Sequence, residues 1–167
     1  MVSFNMLTPT EMSEALTIRR ALLEQVNDVR DLTLRAYQKW VSITPRKPRP
    51  LTADYNTAIL DHRFDCLYRN EVLVGLIETV RQGIDLMIVN VAVDPYYQGR
   101  GYGTRLMRYA ELLACEQRLS ATRLYTNKLM IENIALYKKL GYCFEKETFH
   151  DHGTVAVHMV RPLSNDT

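Results

Sequence analysis

VAVDPYYQGRGYG, residues 91–103, joins an apolar strand-like run to a turn and then to the start of a helix. We expect the strand to end at Asp94-Pro95, because proline fixes φ and has no N–H to donate to a ladder. A helix is predicted over residues 101–119, because apolar positions recur there at spacings of three and four. Those positions are Leu106, Met107, Ala110, Leu113 and Ala114.

The turn carries glycine at three alternate positions, Gly99, Gly101 and Gly103. Glycine has no Cβ, so another molecule can approach its backbone closely. The first N–H groups of a helix have no internal partner and carry partial positive charge, so a phosphate or pyrophosphate fits there. Arg100 adds a full charge beside them. A glycine-rich turn without a ligand is the alternative that the glycines by themselves leave open.

Two common phosphate motifs do not fit this turn. The P-loop string G-x-x-x-x-G-K-[ST] does not occur in the chain. The glycines are spaced G-x-G-x-G, whereas a dinucleotide-binding fold requires G-x-G-x-x-G near the start of a βαβ unit. We therefore reject both of these classes of nucleotide site.

Gln98-x-x-Gly101-x-Gly103 after VAVDP resembles the acetyl-CoA signature [RQ]-x-x-G-x-[GA] of the GNAT superfamily of N-acetyltransferases. Residues 133–142, NIALYKKLGY, are similar to the second motif of that superfamily. The resemblance extends over about residues 72–142. It implies the GNAT fold, an α/β (α+β) architecture. This fold has a mixed, mostly antiparallel central sheet of about seven strands with about four helices, splayed between strands 4 and 5.

Periodicity and turn residues by themselves predict a mixed α/β domain. The predicted order of elements, β-α-α-β-β-β-α-β-α-β-β, is the order that the GNAT superfamily uses. The predicted strands are 15–22, 64–68, 72–81, 84–93, 123–126, 142–149 and 154–161. The predicted helices are 24–40, 52–60 with Thr52 as its cap, 101–119 and 131–140.

Length and composition bound the class of protein. The chain has 167 residues, of which 47% are hydrophobic, and this suits one globular domain. A formal net charge of +2 is too small to indicate binding to nucleic acid or a membrane surface, and no apolar run approaches a membrane span. Three cysteines without metal spacing are expected to be reduced thiols in a cytoplasmic protein. Residues 1–14 are expected to form a flexible leader and 15–163 the acetyltransferase domain.

The resemblance implies that acetyl-CoA is the co-substrate. The backbone of strand four would pair with the pantetheine arm, and the N–H of Val91 or Val93 would polarise the thioester carbonyl. The pyrophosphate would lie on the glycine-rich turn, and Asn133 would hydrogen-bond the pantetheine or its neighbourhood. The predicted cofactor-binding residues are Val91, Ala92, Val93, Gln98, Gly99, Arg100, Gly101, Tyr102, Gly103, Thr104, Asn133 and Tyr137.

Tyr137 is also the predicted catalytic acid. In the family the matching tyrosine lies near the CoA sulfur. A tyrosine with a pKa of about 10 is protonated at pH 7 and can donate to the leaving thiolate. The alternative is that Tyr137 only packs on its helix.

A base is needed because only a neutral amine attacks the thioester. Some family members carry a glutamate on strand four, whereas this chain has Met87 at about that place. The predicted catalytic candidates are Glu78 on strand three and Asp85 on strand four. Without a bulge in strand four, Asp85 would share a face with Met87 and with the cofactor end of the strand. A water chain, Tyr125 and Glu132 are further alternatives.

The region between the first two helices walls the acceptor pocket in the superfamily. Tyr37, Trp40 and Tyr55 are therefore the predicted substrate-binding residues, and packing in the core is the alternative for each. Between them, residues 44–50 (TPRKPRP) are expected to form an extended loop whose basic residues are solvated. Residues 150–152 (HDH) lack the ligands that zinc requires, so no metal is expected, and they form either an acceptor contact or an exposed turn.

The predicted function is acetyl-CoA-dependent transfer of an acetyl group to a primary amine of a small molecule, peptide or protein, by direct transfer in a ternary complex. One alternative is a non-catalytic acyl-CoA-binding sensor, which the absence of an acidic residue at position 87 leaves open. Another is an acyltransferase with a longer acyl group or a hydroxyl acceptor. The expected partners are acetyl-CoA and the amine acceptor, and a homodimer is left open because superfamily members often dimerise.

Overall fold

A computed structural model describes residues 14–164 of the chain. Seven strands form one sheet in the order β1-β2-β3-β4-β5-β7-β6. These strands are β1 (Leu16–Arg20), β2 (Arg63–Arg69), β3 (Val72–Gln82), β4 (Asp85–Val93), β5 (Ala121–Asn127), β6 (Cys143–Phe149) and β7 (Val155–Pro162). The predicted fold class is confirmed. The strands and helices also follow one another along the chain in the predicted order.

Four α-helices lie on the two faces of the sheet. They are α1 (Val26–Tyr37), α2 (Tyr55–Asp61), α3 (Tyr102–Glu116) and α4 (Ile131–Lys139). Within residues 14–164, no helix combines the length and the apolar composition needed to cross a bilayer. The leader predicted over residues 1–14 lies outside the described residues except for Glu14.

The sheet opens between β4 and β5, as predicted. These two strands are parallel, whereas every other neighbouring pair is antiparallel. They pair only over residues 85–88 and 121–124. Beyond that point, in the described part of the chain, no strand pairs with the edge of β4 that faces β5. The carboxyl end of β4 therefore presents backbone groups to the opening.

A β-bulge interrupts β4 where the opening begins. Glu78 of β3 pairs with Asn90, whereas the next residue of β3, Thr79, pairs with Ile88. Val89 is thus an extra residue without an opposite partner on β3. A bulge of this kind resets the alternation of side chains along the strand.

The bulge reverses which residues of β4 face α3. Ile88 lies in the core beneath α3, and Val91 packs against the same core. Asn90 faces α1, where its side-chain amide lies 3.4 Å from the Thr33 hydroxyl. Asp85 therefore does not share a face with Val91. The prediction that the two residues share a face assumed a strand without a bulge, and β4 has a bulge at Val89.

An apolar layer covers each face of the sheet. The layer beneath α3 and α4 includes Leu67, Val74, Ile77, Leu86, Ile88, Leu106, Met107, Ala110, Leu124 and Met159. The layer beneath α1 and α2 includes Val29, Leu32, Ala36, Tyr55, Phe64, Cys66, Tyr68, Leu76 and Ala92. Burial on both faces explains why β4 reads as a nearly continuous apolar run.

The start of α2 corrects one sequence prediction. Asp54, rather than Thr52, caps this helix, because its Oδ1 accepts from the N–H groups of Asn56 (3.0 Å) and Thr57 (3.4 Å). The Thr52 hydroxyl instead donates to the carbonyl of Arg49 at 3.2 Å and closes a short 3-10 turn. The helix therefore begins later than the sequence pattern indicated.

We expect Leu106→Ala to lower the free energy of unfolding by about 2–5 kcal/mol, because it leaves a cavity in the core. Leu106 is 0% exposed, and a Cβ added at Gly75 of β3 would lie 3.1 Å from its Cδ1. Denaturant unfolding followed by circular dichroism measures the change. Leu112→Ala, on the same helix but 64% exposed, is the matched control. Equal losses for the two variants would contradict this packing.

Candidate active site

Two neighbouring cavities open where β4 and β5 separate, and Tyr37 at the end of α1 lines both. The first, which we call the glycine-turn cavity, has a volume of about 360 Å³ and lies between β4, α1, α4 and the start of α3. The second, the bulge cavity, has a volume of about 1070 Å³ and contains the bulge residue Val89. Ligands bound in the two cavities would meet at Tyr37.

The glycine turn leaves the start of α3 open to a ligand. Gly101 is the N-cap, in the left-handed conformation at φ 81°, and no side chain caps the helix. A Cβ built on Gly99 or Gly101 would meet no atom within 4 Å, so the space above the turn is free. The N–H of Arg105 is already bonded to the Gly101 carbonyl at 3.0 Å, which leaves the preceding N–H groups as donors. A phosphate-bearing ligand such as a CoA derivative fits this arrangement.

The structure brings nearly all of the predicted cofactor-binding residues together. The predicted residues that line the glycine-turn cavity are Val91, Ala92, Val93, Gln98, Gly99, Gly101, Tyr102, Gly103, Thr104, Asn133 and Tyr137. Arg100 is the exception, because its guanidinium lies over the rings of Tyr97 (5.3 Å) and Tyr96 (6.0 Å). The lining residues that sequence reasoning missed are Ala36, Lys39, Tyr97 and Leu136.

The side chain of Gln98 turns back onto β4. Its Nε2 donates to the carbonyl of Val93 at 3.1 Å. Gln98 therefore fixes the path of the turn relative to the end of the strand, and its side chain bonds the protein's own backbone.

Tyr137 and Asn133 lie one helical turn apart on α4 and face the glycine-turn cavity. Burial raises the pKa of Tyr137 to about 12. Its ring packs against that of Tyr142, with 6.2 Å between the centroids. The phenol therefore keeps its proton at neutral pH and can act as a hydrogen-bond donor in the cavity.

Tyr37, at the end of α1, is half-buried between the two cavities. Burial raises its pKa well above the ordinary value, and the backbone N–H of Val91 acts against that rise. The phenol of Tyr137 and nearby charge on Glu78 raise the pKa further. Tyr37 is the one residue that lines both of these cavities.

Glu78 and His62 form a pair in the bulge cavity. Glu78 is 6% exposed, and its Oε1 lies 2.6 Å from His62 Nδ1. Burial raises the pKa of Glu78, while the hydrogen bond from His62 and the charges of His62 and Arg49 act against that rise. The arrangement provides a carboxylate that can take up a proton near neutral pH more readily than an exposed glutamate.

Sequence reasoning named Glu78 but not His62. The register of β2 and β3 places Phe64 opposite Glu78, and His62 lies two residues before Phe64, at the end of α2. This register includes a shift between Leu67 and Tyr68. Counting back from the hairpin turn would have placed Phe64 opposite Ile77, so no signal in the sequence indicated the pairing of His62 with Glu78.

The structure does not bring Asp85 into the site. Its carboxylate lies 2.6 Å from Arg123 Nε, and Arg123 also pairs with Glu145. Neither Asp85 nor Met87 lines either cavity, whereas Val89 lines the bulge cavity. The residue of β4 that reaches this cavity is thus apolar and cannot act as a base.

The three predicted acceptor-wall residues have different positions. Tyr37 lines the bulge cavity as well as the glycine-turn cavity, whereas the buried Trp40 lines only the latter. Tyr55 lines neither, because its ring is buried in the layer beneath α1 and its hydroxyl donates to the carbonyl of Pro50 at 2.7 Å. The prediction for Tyr55 is therefore corrected from a wall residue to a core residue.

The structure also locates three other residues that were named from the sequence. Tyr125 and His150 line the bulge cavity. Glu132 lies at the surface, where its Oε2 is 3.1 Å from Lys39 Nζ, so this ion pair joins the end of α1 to α4. Among the described side chains, no three of His, Cys, Asp or Glu are arranged to hold a metal ion.

Comparison with known proteins identifies a family domain within the chain. The family model of the acetyltransferase (GNAT) domain matches residues 61–143, which include the glycine turn, α3 and α4. No curated protein sequence matches the chain. The likeness to solved structures, in contrast, covers most of the chain.

Three solved structures illustrate this likeness. The PaiA N-acetyltransferase from Thermoplasma acidophilum, in complex with coenzyme A, is 16% identical, with a TM-score of 0.70 over 86% of this chain and 98% of that chain. Ard1 from Thermoplasma volcanium is 23% identical, with a TM-score of 0.71 over 90% and 99%. The ribosomal-protein-S18-alanine N-acetyltransferase from Escherichia coli is 18% identical, with a TM-score of 0.68 over 92% and 99%. At these identities the likeness is one of fold. The family match shows a GNAT acetyltransferase domain over residues 61–143, and the solved structures share its fold over most of the chain.

Proposed function

We propose that this protein is an acetyl-CoA-dependent N-acetyltransferase that acetylates a primary amine by direct transfer in a ternary complex. The observation that carries the proposal is the meeting of two cavities at Tyr37. One cavity has an open helix start that suits a pyrophosphate, and the other holds a buried carboxylate that suits an amine.

The glycine-turn cavity is the proposed site of acetyl-CoA, which supplies the activated acyl group. The free N–H groups at the start of α3 would hold the pyrophosphate, as helix starts commonly do. The unpaired edge of β4 at residues 89–93 would hydrogen-bond the amide groups of the pantetheine arm. The same fold in a solved complex with coenzyme A supports this assignment.

The N–H of Val91 is the proposed donor to the thioester carbonyl. It lies just past the bulge, beyond the residues of β4 that pair with β5. A donor fixed in the backbone needs no reorganisation as negative charge develops on the carbonyl oxygen.

Glu78, held by His62, is the proposed base. An amine of the lysine type has a pKa of about 10.4 and is almost entirely protonated at pH 7, so a group that removes its proton is required. When the amine nitrogen bonds to the acyl carbon, its released proton passes to the carboxylate, directly or through water. The contact of 2.6 Å with His62 then stabilises the buried pair.

Tyr137 is the proposed donor to the departing sulfur. Its phenol, with a pKa of about 12, is a weaker acid than a thiol with a pKa near 8.5. A hydrogen bond from Tyr137 therefore stabilises the thiolate as the carbon–sulfur bond breaks. An ammonium acceptor loses two protons. The first leaves to solvent through Glu78 before the attack, and the second, released as the nitrogen bonds to the acyl carbon, passes from Glu78 to the thiolate. The products are therefore an amide, free CoA thiol and one proton.

We expect Gly103→Glu to weaken acetyl-CoA binding by at least about 100-fold, because it adds a negative charge where the pyrophosphate would lie. A Cβ at this position would meet only Leu136 and Val93 side-chain atoms, at 3.9 and 4.0 Å, so the backbone can accept the change. Isothermal titration calorimetry measures the affinity. Gly103→Gln has nearly the same size without the charge and should retain more binding. Wild-type affinity in Gly103→Glu would refute the cofactor site.

Tyr137→Phe should lower kcat by about 100-fold with little change in the affinity for acetyl-CoA, because it removes only the hydroxyl. Release of CoA thiol in the presence of an amine measures kcat. Tyr96→Phe makes the same change at a side chain that is 76% exposed, and its kcat should stay near that of the wild type. Binding of acetyl-CoA without thiol release from any amine would instead favour a sensor.

The pH dependence of kcat/KM should show whether Glu78 is the base. Since burial raises its pKa, the carboxylate is protonated and inactive at pH values below that raised pKa, and kcat/KM rises as the pH passes through it. Glu78→Gln should lower kcat/KM by about 100-fold and abolish this lower limb, leaving the titration of the amine itself. Glu71→Gln, at an exposed carboxylate that pairs with Arg19, should keep the wild-type profile. An unchanged profile in Glu78→Gln would mean that another group is the base.

A further inference from the structure

We propose that the amine acceptor also carries an anionic group, a carboxylate or a phosphate, and that residues 46–49 bind this group while the amine lies at Glu78. This inference rests on the proposed function and names the class of its acceptor. It reverses the expectation that the basic residues of the proline-rich segment are only solvated.

The wall of the bulge cavity carries unpaired positive charge. Arg46, Lys47 and Arg49 all line this cavity. Within residues 14–164, none of the three forms an ion pair with a carboxylate, although most ion pairs of the protein involve an arginine. Three cations without a counter-ion on one wall form a favourable place for a negative ligand group.

The segment that carries these charges is fixed to the rest of the protein. The Thr44 hydroxyl lies 3.0 Å from the carbonyl of Trp40 and 2.7 Å from that of Arg46. Pro48 is buried, and the hydroxyl of Tyr55 holds the next proline, Pro50. The backbone on both sides of the basic residues is thus held in place at the wall of the cavity, and the three basic side chains that it carries are exposed.

Arg49 reaches across the cavity. Its Nη1 donates to the hydroxyl of Tyr125 on β5 at 3.1 Å. Its charge also acts on Glu78 and lowers the pKa of that carboxyl. Arg49 and Glu78 both line the bulge cavity, so they can engage the two ends of one small molecule that has opposite charges.

Two other acidic residues, Asp54 and Asp61, line the bulge cavity, and they lie at the two ends of α2. Asp54 is engaged as the cap of α2, where its Oδ2 accepts from the Thr57 hydroxyl at 2.8 Å. Asp61, which lines the cavity as well, lies at the end of the same helix. Negative charge thus lies on the α2 side and positive charge on the side of residues 46–49. An anionic amine matches both sides, whereas a diamine matches only the α2 side.

The test uses primary amines with two to six methylene groups and four kinds of end group: alkyl, ammonium, carboxylate and phosphate. Release of CoA thiol gives kcat/KM for each. We expect an anionic amine to exceed the alkylamine and the diamine of equal length by at least about tenfold, because a charge-assisted contact is worth about this factor. The advantage should fall as the salt concentration rises, since exposed charges are screened.

Substitution of the segment tests the residues. In Arg46→Gln/Lys47→Gln/Arg49→Gln, the ratio of kcat/KM between anionic and alkyl amines should fall to about one. Arg49→Gln by itself should give part of this loss. Arg20→Gln removes a charge at an exposed residue of β1 that lines neither cavity, and the ratio should stay at the wild-type value.

The outcomes separate this inference from the proposed function. Equal or faster turnover of alkylamines or diamines would overturn the inference and leave the acetyltransferase proposal intact. An anionic advantage that persists in the triple variant would also overturn it. No thiol release with any amine in the panel, while acetyl-CoA still binds, would overturn the proposed transfer and this inference with it.

Discussion

The early end of the β4–β5 pairing, together with the bulge at Val89, determines where every functional group of this protein lies. After residue 88 the edge of β4 has no neighbouring strand in the described chain, so its backbone groups become available to a ligand. Such an exposed edge is usually a liability for a protein. Here α1 and α4 flank the opening, and Tyr37 and Tyr137 project into it. The opening is thereby confined to two cavities of defined shape.

The bulge has a second effect, on the electrostatics of the site. Glu78 pairs with Asn90 at the point where the register shifts, and both side chains lie on the face of the sheet covered by α1 and α2. A buried carboxylate is costly unless it has a hydrogen-bonding partner. His62 supplies that partner at 2.6 Å, from the end of α2. The same contact that makes burial of Glu78 tolerable also fixes the carboxylate beside the bulge cavity.

The parts of the site that are contiguous in sequence could be predicted, and the parts that depend on register could not. The glycine turn, the start of α3 and Tyr137 lie in two short strings, and the resemblance of these strings to the two GNAT motifs was sufficient to group them. The bulge left no trace in the apolar run of β4, because both faces of that strand are buried and polarity does not alternate. The face predicted for Asp85 depended on a strand without a bulge, and that condition is not met. Tyr55 was misplaced because an aromatic side chain suits a core and a pocket equally well.

The position of Tyr37 has a consequence for the energetics of binding. Its side chain forms part of the wall of both cavities. A first ligand that shifts this side chain changes the wall that the second ligand meets. The two binding free energies are then coupled, and by linkage each ligand changes the affinity for the other by the same factor. A single tyrosine thereby couples the two binding equilibria, whichever ligand binds first.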